Sequence, residues 1–197
     1  MARVRREKKS WGLRIFFAFV VLLAVGIAAA RIELTLIPPH VAFAPSATLS
    51  DDKKKQLDDV IADAMLSDRD QVIDLALDFT SRSLSFSLGH KTSLDFGVPT
   101  RGANCVEYSE LFVAVFDVAA KHAGSTARAY RVRSDARVFG KPVSPFLGAS
   151  FADHDWVLVV DPADGARIYL DPTFADAWLG ASIARNVKGG DAITLPK

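Results

Sequence analysis

Three side chains of this sequence are of the types that a nucleophilic catalytic site uses: Cys105, His154 and Asp171. A thiol attacks a carbonyl carbon when a neighbouring imidazole takes its proton, and a carboxylate holds that imidazole in the required tautomer. The chemistry predicted from this trio is acyl transfer through a thioester. Such chemistry requires no metal and no organic cofactor, so none is predicted.

The cysteine lies where a helix is predicted to begin. Residues 105–123 carry apolar side chains at helical spacing, and Gly124 is typical of a helix end. Asn104 is a favourable N-cap residue, and Glu107 completes a variant of the capping box. Cys105 then lies in the first turn, where free N–H groups and the helix dipole favour a thiolate. The alternative role is that of a small buried hydrophobic residue, the usual one for a lone cysteine.

A predicted antiparallel hairpin carries the other two residues. Residues 153–160 and 167–171 are typical of strands, and residues 162–165, with sequence PADG, are typical of a turn. His154 lies near the start of the first strand and Asp171 at the end of the second, so both are expected at the open end of the hairpin. Taken singly, each has an ordinary alternative: a strand-end histidine, and a turn-forming aspartate before proline.

The register of this hairpin decides whether the two side chains meet. A turn centred near residues 162–163 opposes His154 to Asp171, and it also opposes Trp156 to Tyr169 and Val157 to Ile168. A shift of one residue would place histidine and aspartate on different faces of the sheet. Asp155 cannot replace Asp171, because adjacent residues of a strand point to opposite faces.

Composition narrows the function classes. The chain has 24 basic and 23 acidic residues. Six of the basic residues and one of the acidic residues lie in the first 14 positions. The rest of the chain therefore has 18 basic and 22 acidic residues, a net charge of −4. Such a mildly acidic body lacks the basic surface that neutralises phosphates, and no nucleic-acid partner is predicted. The single cysteine excludes an internal disulfide, and no Cys/His spacing indicates a zinc site.

The N-terminus predicts attachment to a membrane. Residues 1–10 are strongly basic, and residues 15–30 are an unbroken apolar run that follows Arg14. With residues 11–14 the run is long enough to span a bilayer, and the basic flank keeps its own end in the cytoplasm. We therefore expect a single-pass membrane protein whose C-terminal part lies on the extracytoplasmic, periplasmic side. The alternative is a signal peptide cleaved after the small residues 28–30, which gives a secreted protein in the same compartment.

The rest of the chain divides at changes of composition. Residues 1–30 form the basic terminus with its anchor or signal segment, residues 31–49 an extended proline-containing linker, and residues 50–197 one domain. In that domain Ser50 begins a helix, and Ser67 with Asp70 caps a second one. Residues 84–88 alternate in polarity as in a short strand, and the following stretch to 103 is typical of a loop.

These elements predict an α+β fold. Helices up to and including 105–123 come first, and an antiparallel sheet extends from about Thr126 to Asp171, with the cysteine helix packed on it. Residues 127–133 alternate small or apolar residues with arginine, as a half-exposed strand does.

In the order of its motifs the sequence resembles the transglutaminase-like superfamily, including its bacterial transglutaminase-like cysteine peptidases. The resemblance covers roughly residues 70–178. The matching segments are RGANCVEYSELF at 101–112, AGSTARAY at 123–130, HDW at 154–156 and LDPT at 170–173. It implies a papain/transglutaminase-like fold, in which a helix led by the cysteine precedes strands bearing His-x-Trp and Asp-Pro. It also implies a Cys105–His154–Asp171 triad.

The sequence departs from the pattern of that family in three places. The Cys-to-His spacing of 49 residues includes a Phe139–Phe151 loop typical of an insertion over the site. Val106 follows the cysteine, where some transglutaminases have Trp. The upstream side chain that completes the oxyanion hole is not evident, and His90 is the candidate for it, beside the backbone N–H of Cys105.

The predicted function is that of a thiol-dependent hydrolase or transamidase acting on amide bonds of peptides or proteins outside the cytoplasmic membrane. Trp156 and Trp178 are candidates for the walls of its cleft, although core aromatics are the more common case. One alternative is a catalytically silent, membrane-anchored binding module on the same fold. A third interpretation is an acyltransferase, for which the sequence offers no donor-binding motif. The oligomeric state is not predicted.

Overall fold

The structure is a computed structural model that describes residues 15–26, 34–36, 41–87, 92–94, 96, 101–138, 141–142, 145, 153–176, 184–185, 187 and 195–196. It is mixed helix and sheet, as predicted. The helices are α1 (15–26), α2 (Asp51–Asp63), α3 (Arg69–Ser83), α4 (Cys105–His122) and α5 (Pro172–Asp176). The strands are β1 (Leu34–Leu36), β2 (Val41–Phe43), β3 (Leu84–Phe86), β4 (Arg101–Ala103), β5 (Arg128–Ser134), β6 (Ala136–Val138), β7 (Lys141–Pro142), β8 (His154–Asp161) and β9 (Ala166–Leu170).

The main sheet is antiparallel and has the order β2-β5-β8-β9. One face packs on α4, and this layer contains most of the buried apolar residues, among them Val157, Val159 and Leu170. The opposite face carries a smaller cluster built on Trp156 and Leu158. The alternation of the two sets along β8 follows from the two-residue period of a strand. An α+β fold with the cysteine helix on an antiparallel sheet is therefore confirmed.

Two predictions about the smaller elements are wrong. The stretch predicted as a loop before the cysteine includes β4, which pairs in parallel with β3. The second long helix is capped by Asp68, whose side chain accepts from the backbone N–H of Gln71, and not by Ser67. The hydroxyl of serine and the carboxylate of aspartate both suit an N-cap, so the sequence allows either residue, and the observed cap lies one residue later than the predicted one. The cap at Ser50 is confirmed.

The segment predicted as a linker, residues 31–49, contains structure that belongs to the sheets. β1 pairs with β6, and β2 forms the edge of the main sheet beside β5. The backbone N–H groups of Ser46 and Ala47 donate to the buried carboxylate of Glu110 on α4. The described residues before Ser50 thus already contact the domain, through β1, β2 and residues 46–47.

The N-terminal apolar segment is described only in part. α1 exposes large apolar side chains along its whole length, for example Phe16, Phe19 and Leu22. The predicted anchor residues on either side, 11–14 and 27–30, lie outside the described residues. Within the described part of the chain, no helix combines the length and the apolar character that crossing a membrane requires.

A chain of charged side chains, of which the two carboxylates are buried, links α4 to the sheet. Glu110 Oε1 lies 3.0 Å from Arg131 Nε, and the two side chains are 1% and 14% exposed. Asp155, on β8, lies 3.2 Å from Arg133 and 3.8 Å from Arg131. Burial raises the pKa of Asp155, while the charges of Arg133 and Arg131 act in the opposite direction. The Arg131 guanidinium also lies 4.2 Å from the centre of the Phe43 ring, so β2 is part of the same cluster.

Glu110→Ala is expected to reduce the free energy of unfolding by roughly 3 kcal/mol, because it leaves the partly buried guanidinium of Arg131 without its nearest carboxylate and two backbone N–H groups without their acceptor. Urea unfolding measures the change. The matched control is Asp78→Asn, which removes the carboxylate of an exposed helical ion pair with Arg82 and should cost less than about 0.5 kcal/mol. Equal costs for the two variants would contradict the structural role assigned to Glu110.

Candidate active site

The helix start positions the thiol as predicted. The Asn104 side chain accepts from the Val106 N–H at 3.0 Å, and Glu107 accepts from the Asn104 N–H at 2.8 Å, so the capping box is confirmed. Cys105 is the first residue of α4 and is partly exposed. Glu107 also accepts from the Ser93 N–H at 2.9 Å, which ties the preceding loop to the first turn. Cys105 is therefore a partly exposed residue at a hydrogen-bonded helix start.

The hairpin brings histidine and aspartate together, but in a different register. Val157 opposes Leu170 and Leu158 opposes Tyr169, so Asp171 falls across from Trp156 and not from His154. The other predicted pairs, Trp156 with Tyr169 and Val157 with Ile168, are wrong for the same reason.

The turn explains the different register. Its closing pair is Asp161 with Ala166, so four residues form the turn, and Gly165 adopts the positive φ that the reversal requires. The shift is two residues, which is the period of a strand, so the predicted faces are preserved.

The contact between the two side chains is direct. His154 Nε2 lies 2.8 Å from Asp171 Oδ2, and the side chains are 3% and 0% exposed. The second carboxylate oxygen, Oδ1, accepts from the Thr173 N–H at 2.9 Å. Both oxygens of Asp171 are therefore engaged, and its rotamer is fixed. The nearby Asp155 points away toward the arginines, as the alternation of the strand predicts.

The electrostatics of His154 connect it with the thiol. Burial lowers the pKa of His154, but the charge and hydrogen bond of Asp171, together with a hydrogen bond and charge interaction with Cys105, raise it to about 10. Nε2 is bonded to Asp171, which leaves Nδ1 as the other ring nitrogen that can bond a neighbour. His154 thus stands between Cys105 and Asp171, and the structure brings together all three side chains singled out in the sequence.

Aromatic rings enclose the imidazole. The Trp156 ring meets the His154 ring edge-on at 4.6 Å between centroids, and Phe174 stacks on it at 6.0 Å. Trp156 is itself fully buried in the smaller cluster, so it is a core residue as well as a neighbour of the site. Phe174 was missed in the sequence. Its position three residues after Asp171 could have indicated it, because the structure shows that these residues form one turn of a short helix.

A second hydrogen-bonded cluster holds the aspartate corner against the cysteine helix. The hydroxyl of Tyr108, one turn after Cys105, donates to Asp176 Oδ2 at the end of α5. The same oxygen accepts from the Phe86 N–H at 3.0 Å. Burial and the bond to Asp176 raise the pKa of Tyr108 well above its ordinary value, so it remains a neutral donor. The helix with the thiol and the corner with the carboxylate are therefore connected independently of His154.

Other predicted site residues lie outside the described residues: His90, Trp178 and nearly all of the Phe139–Phe151 loop. Among the described residues, no group of three or more His, Cys, Asp or Glu side chains is arranged to hold a metal ion. A cavity of about 210 Å³ lies beside Asp117, Arg128 and Tyr130, near the start of β5. Its lining includes none of the three site residues, and it has no evident part in their chemistry.

The fold and these contacts define an α+β protein with a candidate Cys-His-Asp site at the junction of a helix N-terminus and an antiparallel sheet. No family model matches the chain, and no curated protein matches it.

Proposed function

We propose that this protein is a thiol-dependent hydrolase or transamidase of the transglutaminase-like superfamily, with a papain/transglutaminase-like fold, acting on amide bonds of peptides or proteins. The observation that carries the proposal is the double contact of His154, with Asp171 on one side and Cys105 on the other. A buried histidine bonded to a buried carboxylate would be an ordinary structural pair. The additional contact with a partly exposed thiol at a helix N-terminus favours catalysis.

In the proposed reaction the sulfur of Cys105 attacks the amide carbonyl, and the electron pair of the C=O bond moves to oxygen. The tetrahedral intermediate collapses with cleavage of the C–N bond, and His154 gives its Nδ1 proton to the departing amine. The product is a thioester on Cys105. Water, deprotonated by His154, then releases an acid and restores the thiol; an amine in place of water gives a new amide.

Two features would support the charged intermediates. The first-turn N–H of Cys105 lacks an intrahelical acceptor, as helix N-termini do, and would donate to the oxyanion. Asp171 stabilises the imidazolium and keeps Nε2 protonated, which leaves Nδ1 free to exchange protons with sulfur and substrate.

We further propose that the N-terminal segment keeps the domain on the extracytoplasmic side of the cytoplasmic membrane. The basic flank, the apolar run and the exposed apolar side chains of α1 support this location.

The proposal predicts a covalent thioester. Full-length protein incubated with a pool of peptides and quenched in acid should show an added acyl mass by intact mass spectrometry, and hydroxylamine should remove it. Cys105→Ser should show no hydroxylamine-labile adduct and should unfold at nearly the same urea concentration, because the two side chains are close in size. Adding a fluorescent primary amine separates transamidation from hydrolysis. Absence of any adduct, together with reversible peptide binding, would favour the binding module.

A further inference from the structure

The chain passes from α1 into the domain through a short segment, and the place of its entry limits the direction in which the site can face. Only residues 27–33 separate the exposed apolar helix α1 from β1. Seven extended residues span at most roughly 25 Å. Since β1 and β2 are both paired in the sheets, the segment between α1 and the first paired strand has at most these seven residues, against 19 in the segment 31–49.

The chain enters at the end of the sheet that carries the site. β1 pairs with β6, and only Asp135 separates β6 from Ser134, the residue that opposes His154. β2 begins at the same end, because Val41 opposes Arg133.

Strand spacings convert this topology into distances. Arg133 in turn opposes Asp155, so two strand spacings, about 10 Å, separate Val41 from the residue next to His154. The opposite end of the sheet is the hairpin turn at residues 162–165. It lies about 23 Å further along β8, a strand of eight residues. The domain is thus attached close to its site and far from its hairpin turn.

We infer that the site end of the sheet faces the bilayer that holds α1, and that the substrates are polypeptide segments close to that membrane, such as the membrane-proximal stretches of anchored proteins. The inference rests on the proposed function and on the proposed anchor. A short tether keeps the site close to the membrane surface. Polypeptides attached to the same membrane are held near that surface too, whereas soluble polypeptides are not. The inferred orientation therefore names a substrate class, whereas the chemistry of the site alone specifies only an amide bond.

The single cysteine makes this orientation measurable in the full chain. The protein is placed in phosphatidylcholine vesicles and labelled in two ways: with a maleimide on a short spacer attached to a lipid headgroup, and with the same maleimide and spacer free in solution. The ratio of the two rates corrects for the intrinsic reactivity of each thiol. The matched control is Cys105→Ser with Ala163→Cys, which moves the only thiol to the exposed turn at the far end of the hairpin.

The ratio is expected to be several-fold higher for Cys105 than for the thiol at position 163. A flexible insertion of about 20 Gly and Ser residues after residue 30 should lower the Cys105 ratio roughly eightfold, as the effective concentration falls with the −3/2 power of tether length. Equal ratios at the two positions, or no effect of the insertion, would overturn the orientation. Failure of the protein to float with the vesicles would overturn it as well.

Failure of the orientation and failure of the proposed chemistry give different results. Fast labelling of Cys105 by the soluble maleimide near pH 6, with thioester formation but no preference for the lipid-bound probe, removes only the orientation. A clear preference for the lipid-bound probe at Cys105 without thioester formation leaves the orientation in place and removes the enzyme.

Discussion

Replacing Asp171 with Asn is expected to slow thioester formation by on the order of ten thousand-fold, the cost of the same change in a serine triad. The structure gives a specific reason. One carboxylate oxygen accepts from the Thr173 N–H at 2.9 Å, so the single oxygen of an asparagine would keep that bond. Its NH₂ group would then point at His154 Nε2, which lies 2.8 Å from Asp171 Oδ2 in the native protein. Because an NH₂ group donates, Nε2 would have to accept, which places the imidazole proton on Nδ1, and the histidine can no longer take the proton of the thiol.

The measurement is the rate at which the acyl mass appears on the full chain. Asp153→Asn is the matched control, because it removes an exposed carboxylate next to His154 and should leave the rate within about twofold of the wild type. Urea unfolding of both variants checks that the fold is kept. An Asp171→Asn rate close to that of the control would mean that the aspartate only fills space, and the triad would have to be abandoned.

The parts of the site that the sequence predicted are those determined locally. The capping box of α4 involves Asn104 and Glu107, three residues apart, and such hydrogen bonds form with little influence from the rest of the chain. The faces of β8 follow from alternation alone, which is why His154 and Asp171 share a face although their register was wrong by two residues. The register itself depends on which residues the turn uses, and several turns suit the same sequence.

What the sequence did not predict is non-local. β2 has only three residues, no periodic pattern, and a partner strand about 90 residues later. Its place in the sheet is stabilised by Phe43 on Arg131 and by the backbone donors to Glu110. A signal existed: a glutamate within an apolar helix and alternating arginines in a strand are charges that need partners when buried. The alternation of arginine with small or apolar residues predicts only a half-exposed strand and does not indicate the pairing with Glu110.

The pH dependence of alkylation should separate an activated thiol from an ordinary one. The pKa of His154 is raised to about 10, with burial opposing the effect of Asp171 and Cys105, so the ring stays charged through neutral pH and can hold a thiolate beside it. His154→Ala removes that partner, and iodoacetamide alkylation at pH 6 should fall at least about tenfold. Above pH 9 the two rates should converge, because an unassisted thiol ionises near pH 8.5.

The positive charge of His154 also makes the stability of the fold depend on pH. A histidine whose pKa rises on folding from 6.5 to about 10 contributes a stabilisation that is complete below about pH 6.5 and is lost as the pH rises through 10. The difference in unfolding free energy between wild type and His154→Ala should therefore shrink steadily from pH 6.5 to 10. His122→Ala, which removes an exposed histidine near the other end of α4, is the control, and its alkylation profile should match that of the wild type. If the alkylation profiles of wild type and His154→Ala coincide, the imidazole does not serve the thiol, and a binding function describes this fold better than catalysis does.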